Sequence, residues 1–428
     1  MKKISIIYTV VLTVFSGIVM AQQKAVPVNI PVSLDQYLVN VSKGNLGYIA
    51  KQLDVSIAKA SLKAAHVFPD PQISLGYTNN QDQTMKLGQN METSISYPVS
   101  LGNKRGANIA LANSQYELSQ LVLDEYFRNL RADAAISYFS ALKLQKTYQL
   151  QEETYEQMLQ LAQADSIRLK DGEANNVDAL QSALEAKAQL NQVFQAKADM
   201  QNAFFDFSRL QGKVGTDTVY NPVGEFPVSI RDYNLTALVD TAVKNKGDIK
   251  IAIKNKEVSE KNLRLLHANR AFEFSLEAGY SYNSVAKNNV APSPAYSSYN
   301  AGISIPLKFS NTNRQAVVAA KLAIDQSEIE YNDIRQQLTT SVIQAYNTFV
   351  AQRKQLEHYN EGLIGNAEKI LNSKVYSYQR GESNLVDVIN ARRTYVDLRS
   401  DYLETLCRYV SSVIELERAT GIWDLDKM

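Results

Sequence analysis

Two hydrophobic periods alternate along the chain. Tyr395, Leu398, Tyr402, Leu406, Tyr409, Val413 and Leu416 step by 3, 4, 4, 3, 4 and 3 residues, and Leu144, Tyr148, Tyr155, Leu159 and Ala162 by 4, 7, 4 and 3. Such steps are the seams of helices packed against helices. Elsewhere the period is two. Phe272, Phe274, Leu276, Ala278, Tyr280 and Tyr282 alternate with Glu273, Ser275, Glu277, Gly279 and Ser281. Tyr299, Ala301, Ile303, Ile305 and Leu307 alternate with Asn300, Gly302, Ser304 and Lys308. Ile73, Leu75 and Tyr77, then Thr93, Ile95, Tyr97 and Val99, do the same in the first half. Each stretch reads as a strand of about ten residues, apolar and tyrosine-rich on one face and polar on the other.

Proline marks how far the helices can run. The chain has ten prolines, none of them between Val99 and Asn221 or between Leu307 and Met428. Proline costs about 3 kcal/mol inside a helix, so these tracts permit very long helices, expected at 103–170 and 312–379. Lys104 to Lys170 alone is 67 residues, roughly 100 Å of helix at ~1.5 Å per residue. Gly172 and Gly381 stand where each long helix ends. Tip turns follow at 171–176 and 380–384, then helices at 177–211 and 385–420.

The chain is one unit written twice. Lys170-Asp-Gly-Glu-Ala-Asn-Asn-Val-Asp178 reads against Gln379-Arg-Gly-Glu-Ser-Asn-Leu-Val-Asp387, at an offset of 209. The same offset carries Arg209 and Gly212 onto Arg418 and Gly421, while Pro98 pairs with Pro306 and Tyr77 with Tyr280. A period this long is a duplicated half, not a solenoid repeat. The expected division is a first repeat at 22–212 with a helix and a hairpin at 71–99, a linker at 213–234, and a second repeat at 235–428 with a helix and a hairpin at 272–309.

The first 21 residues read as a secretory signal peptide. Lys2 and Lys3 precede the apolar run Ile4 to Val19, and Val19-Met20-Ala21 suits cleavage. No later run approaches the ~20 apolar residues of a membrane helix. Composition changes the picture little. Forty-five Lys and Arg against 44 Asp and Glu give no basic excess for nucleic acid. One cysteine, Cys407, excludes a disulfide scaffold. His66, His267 and His358 lack metal-ligand spacing, and no phosphate loop or hydrolase motif occurs. The chain therefore reads as no enzyme, with no catalytic, cofactor or metal site. Four strands cannot close a barrel, and an open sheet in lipid leaves edge groups unsatisfied. Two copies supply eight strands; three supply twelve and a passable lumen. The physics favours a cyclic homo-oligomer, most plausibly a trimer.

With its duplicated half, Tyr/Ser-alternating hairpins, joins Tyr97-Pro98-Val99-Ser100-Leu101-Gly102-Asn103-Lys104-Arg105 and Ile305-Pro306-Leu307-Lys308-Phe309, and Gly tip turns followed by Val-Asp, the chain resembles the TolC-like outer membrane efflux proteins. The joins are similar to those of the cobalt-zinc-cadmium efflux branch; drug efflux and type I secretion fit equally well. The resemblance implies a mostly α fold with a small β part: four membrane strands per chain complete a twelve-stranded barrel in a homotrimer, above a long α-helical periplasmic barrel. It implies an outer membrane location in a Gram-negative bacterium, contact with outer membrane lipid, and docking to a periplasmic adaptor and an inner-membrane pump. It places a periplasmic gate at Tyr378, Asp387 and Asn390. Ser383 stands where the family can carry an Arg, which removes an Arg-based latch. Asp387 would form a three-fold carboxylate ring and raise its own pKa by crowding. Lys170, Gly172, Val177, Asp178, Arg380, Gly381 and Val386 would form the adaptor-docking tip. Tyr77, Tyr97, Tyr280, Tyr282 and Tyr299 would form the membrane girdle. The alternative is a secreted or periplasmic coiled-coil structural or adhesin protein whose hairpins avoid lipid.

Overall fold

The computed structural model describes residues 28–82, 85–172, 175–215, 218–227, 231–307 and 312–423. The signal peptide expected at 1–21, and Lys308 and Phe309 of the second join, lie outside the described residues. The chain runs β1 (Val28–Val32), α1 (Leu34–Gly44), α2 (Leu46–Ala65), β2 (Gln72–Asn79), β3 (Gln89–Ser100), α3 (Lys104–Lys170) and α4 (Asn176–Leu210). It continues through β4 (Thr218–Pro222), α5 (Leu235–Asn245), α6 (Gly247–Ala268), β5 (Glu273–Asn283), β6 (Tyr296–Ser304), α7 (Thr312–Asn360), α8 (Leu363–Gln379) and α9 (Leu385–Thr420). Among the described residues no helix is long and apolar enough to cross a membrane.

Among the described residues the fold is mostly helical, with two small sheets. One has four antiparallel strands in the order β2-β3-β5-β6. The helices that feed these strands stand side by side in the same sequence: α2 packs on α3, α3 on α6, and α6 on α7. Towards the other end α4 packs on α3, α3 on α9, and α9 on α8. The two hairpins are thus neighbours in one layer that continues downward as helices.

The core sits at mid-height, where the two halves meet. The Tyr37 ring stacks on Phe207 with centroids 3.9 Å apart and planes within 5°. Tyr138, Phe139, Phe226, Phe349 and Tyr409 complete the aromatic cluster. Such rings bury 150–250 Å² each, so this layer dominates the apolar burial of the chain. Along α9 the residues Leu406, Tyr409, Val413 and Leu416 are buried, as the seam spacing requires. On α3 the seam lies one step round from Leu144, Tyr148 and Leu159. The buried stripe is Leu142, Leu150, Thr154, Met158 and Asp165, with two polar side chains inside it.

Three expectations from the sequence change. The helix expected over 312–379 is two helices. Gly362 separates them with φ of 94°, a left-handed conformation that a helix cannot pass through and that glycine adopts without a Cβ penalty. The residue 209 positions earlier is Glu153, and α3 runs through it unbroken. The linker expected at 213–234 carries β4, which pairs in parallel with β1 from Val28↔Thr218 to Val32↔Pro222. Neither five-residue strand is long enough to show a period, and Pro31 and Pro222 read as breakers. Finally, two helices rather than one precede each hairpin. The chain turns at Asn45, whose side chain caps α2 by accepting from the Tyr48 amide (3.0 Å), and at Lys246, which forms a buried ion pair with Glu125.

Candidate functional site: a two-faced sheet and a helical tip

Register sorts the four strands into two chemically distinct faces. The pairs Tyr77↔Met91↔Tyr282, Leu75↔Thr93↔Tyr280↔Tyr299, Ile73↔Ile95↔Ala278↔Ala301 and Tyr97↔Leu276↔Ile303 share one side, followed by Val99↔Phe274. The order along that face is informative. Four tyrosines stand in the two rows nearest the hairpin turns, aliphatic residues in the middle, and Tyr97, Phe274 and Phe272 at the end nearest the helices. Met91 to Val99 spans about 27 Å of strand at ~3.3 Å per residue. All of these side chains but Val99 and Phe274 are exposed in the single chain, Tyr299 by 86%. The opposite face holds Ser74, Glu92, Ser94, Ser96, Glu277, Ser281, Ser298 and Asn300. No Lys or Arg occurs in β2, β3, β5 or β6. The five tyrosines read as one girdle therefore share a face but form two bands, with Tyr97 at the opposite end from the other four.

The turns between strands are tied together. Lys287 donates its amide to the Lys86 carbonyl (2.9 Å), and Asn288 donates from Nδ2 to the Met85 carbonyl (2.7 Å). Gly88, at φ 87°, passes so close to Ser284 that a Cβ would sit 2.9 Å from its hydroxyl. The two hairpins thus move as one sheet.

At the other end of the molecule the helices turn at Gly172 and Gly381, both at φ 76° in open space. Tyr378, Leu385, Val388 and Ile389 form a small separate core, packed by Leu161 and Val375. Beside it the Tyr378 hydroxyl donates to Oδ1 of Asp165 (2.8 Å), and the Arg168 guanidinium lies 5.3 Å from the Tyr378 ring centre. Asp165 is fully buried, and its Oδ2 accepts no hydrogen bond among the described residues. Burial and the Asp165 carboxylate push the Tyr378 phenol well above its usual range. Two turns away, buried Arg392 on α9 donates to Gln157 on α3. Near the tip these two polar contacts fasten the second half to α3 beside the apolar cluster.

Asp387 lies in the first turn of α9 and has two partners within its own chain. Its carboxylate accepts from Lys374 (2.9 Å) and Ser383 (3.3 Å). Within the single chain the Lys374 ammonium holds it below the ordinary carboxylate range. Ser383 thus serves Asp387 within the chain. Asn390 is exposed one turn further along α9. Lys170, Val177, Arg380 and Val386 are exposed around the tip, and Asp178 is half-exposed in the first turn of α4. Arg380 bonds the Tyr376 hydroxyl and lies 3.6 Å from Glu382.

The sequence reading overlooked Asp165, Lys374, Arg392 and Gln157. A signal for the first two existed. Asp165 and Lys374 stand 209 residues apart, as do Asp178 and Asp387. Matched positions in two copies of one unit therefore carry opposite charges.

Comparison with known proteins follows the same outline. A family model described as outer membrane efflux protein matches residues 45–213 and 238–422. The cobalt-zinc-cadmium resistance protein CzcC of Cupriavidus metallidurans is 24% identical over 389 residues, covering 89% of this chain and 87% of that protein. The outer membrane protein TolC of Vibrio cholerae is 21% identical over 401 residues, covering 87% and 86%. Among solved structures, the CmeC outer membrane channel of Campylobacter jejuni superposes with a TM-score of 0.74 at 14% identity, over 91% of this chain and 85% of that one. CusC superposes at 0.72 and 17%, over 91% and 92%.

Proposed function

The chain belongs to the outer membrane efflux protein family, and from that premise we propose that three copies close head to tail into a duct gated at its helical tip. The protein is an outer membrane efflux channel that extends into the periplasm. One observation carries the trimer: the layer has two open edges, and both are apolar below the sheet. Edge strand β2 stands over α2, which exposes Leu46, Ile49, Leu53 and Ile57 at steps of 3, 4 and 4. Edge strand β6 stands over α7, which exposes Val318, Leu322 and Ile329 at steps of 4 and 7. Pairing β2 of one copy with β6 of the next satisfies both edges and covers both stripes, a heterologous contact that must close into a ring. Three copies give twelve strands and a lumen.

In that ring the aromatic-aliphatic-aromatic face meets lipid, with Tyr77, Tyr280, Tyr282 and Tyr299 at the outer interface and Tyr97 at the inner one. The polar face, with Glu92, Glu277 and no cationic strand residue, lines the lumen and favours cations. The metal-resistance relative CzcC fits a divalent cation as cargo.

The gate is the tip core. Tyr378 holds α8 to Asp165 of α3, while Asp387 and Asn390 face the axis. A periplasmic adaptor recruits the duct through Lys170, Gly172, Val177, Asp178, Arg380, Gly381 and Val386, and an inner-membrane pump supplies the energy.

Purified protein in detergent and in planar bilayers tests the assembly. The expected result is a three-subunit, heat-modifiable particle with low, cation-selective conductance. A stable monomer, or an anion-selective pore, overturns it.

A further inference from the structure

We propose that the junction between sheet and helices holds an anionic phospholipid of the periplasmic leaflet, with its phosphate on Arg105. The inference takes the apolar face as the lipid face. A groove of about 780 Å³ runs across the base of the sheet. Phe68, Tyr97, Phe274 and Pro306 supply apolar wall, and Lys104 and Arg105 line the helix side. Tyr97 and Phe274 belong to the aromatic band at the helix end of the apolar face, so the groove lies at headgroup depth.

The charges there are not explained by the fold. Lys104 and Arg105 occupy the first turn of a 67-residue helix, where the helix dipole disfavours cations, and that turn contains no acid. Lys104 is balanced by Glu273 at 2.9 Å. Arg105 is balanced by nothing among the described residues. It lies over the Phe68 ring, 3.9 Å from its centre, and donates one Nη to the His66 carbonyl. Its Nε is buried without a hydrogen-bond partner. A half-buried guanidinium pinned by ring and carbonyl beside a helix N-terminus suits a phosphate oxygen. Exposed Lys59, Lys63, Arg264 and Arg270 on the neighbouring helix ends add to the positive field. The adjoining apolar wall suits the glycerol and upper acyl chain of the same molecule. A soluble phosphate would leave that wall uncovered.

The test uses the full-length protein extracted from outer membranes. Native mass spectrometry follows retention of phosphatidylglycerol, phosphatidylcholine and inorganic phosphate. Trimer migration and conductance are measured on the same samples, and report separately on the channel reading. Wild type is expected to retain phosphatidylglycerol about tenfold more strongly than phosphatidylcholine. Arg105→Gln is expected to lose that preference while remaining a conducting trimer. Equal retention of the two lipids by wild type overturns the proposal, as does an unchanged preference in Arg105→Gln. So does displacement of phosphatidylglycerol by equimolar inorganic phosphate. Should Arg105→Gln fail to assemble, Phe68→Ser decides: it leaves the cation and removes apolar wall, and is expected to weaken phosphatidylglycerol retention several-fold. Undiminished retention in that variant overturns the proposal.

Discussion

One phenol at the tip answers a buried carboxylate. The Tyr378 hydroxyl is the one donor that reaches the buried Asp165 carboxylate among the described residues, and that carboxylate is fully enclosed. Tyr378→Phe keeps the ring in the tip core but strands the acceptor, which costs about 1–3 kcal/mol. If the closed state alone carries this bond, the open population rises by one to two orders of magnitude. Single-channel recording is expected to show that rise, and an unchanged open probability removes Tyr378 from the gate. The two tip acids respond to pH in opposite ranges. Asp387 is held low by Lys374, so its ion pair is present above the unfolded carboxyl value and lost as pH falls through the folded one, below about pH 4. The Tyr378 phenol is held high, so its bond is present below about pH 10 and weakens only above that. Conductance is therefore expected to be flat from about pH 5 to 9 and to rise in acid. Asp387→Asn should abolish the acid step; a persisting step assigns it elsewhere.

The elements differed in how far they could be read from sequence. The four strands were legible because each buries or exposes a whole face, so alternation of Leu276, Ala278 and Tyr280 with Ser275, Glu277 and Gly279 is forced by the pleat. The long helices were legible because proline is missing from them. Their interruptions were not. Gly362 stops α7 by its backbone angle alone, and the sequence around it is otherwise helical. A Cβ there would meet nothing within 4 Å, so the cost of Gly362→Ala is conformational, about 1–2 kcal/mol. Urea unfolding is expected to show that loss. A gain in stability would mean that α7 and α8 prefer to join, with the turn imposed from elsewhere. The strand β4 escaped notice for another reason: its partner, β1, lies about 190 residues away. The tip contact at Asp165 was hidden because a buried acid looks like any solvated one in sequence; only the duplication, by setting it against Lys374, could have exposed it.

Across the whole molecule the two kinds of buried surface answer different questions. The mid-height cluster around Tyr37, Phe207 and Tyr409 is complete within one chain. The stripes on α2 and α7 are not: Leu46 is 74% exposed and Ile329 69%. A chain that secures its own centre while leaving two apolar edges bare is built to fold first and assemble second. The order can be tested by breaking each surface alone. Tyr37→Ala removes a ring stacked at 3.9 Å on Phe207, and should cost about 3–5 kcal/mol and lower the melting temperature of the monomer as well as the trimer. Ile57→Glu sets a charge at the end of the α2 stripe nearest the sheet, where a neighbouring copy would bury it unpaired. Circular dichroism is expected to stay unchanged while the trimer band disappears from semi-native gels and conductance is lost. Substituting Lys for Asp325, which stands exposed between Leu322 and Ile329 on the same stripe of α7, offers that charge a partner across the joint. Partial return of the trimer in the double variant would tie the α2 edge of one copy to the α7 edge of the next. A trimer that survives Ile57→Glu intact would mean that the ring closes through some other pair of surfaces.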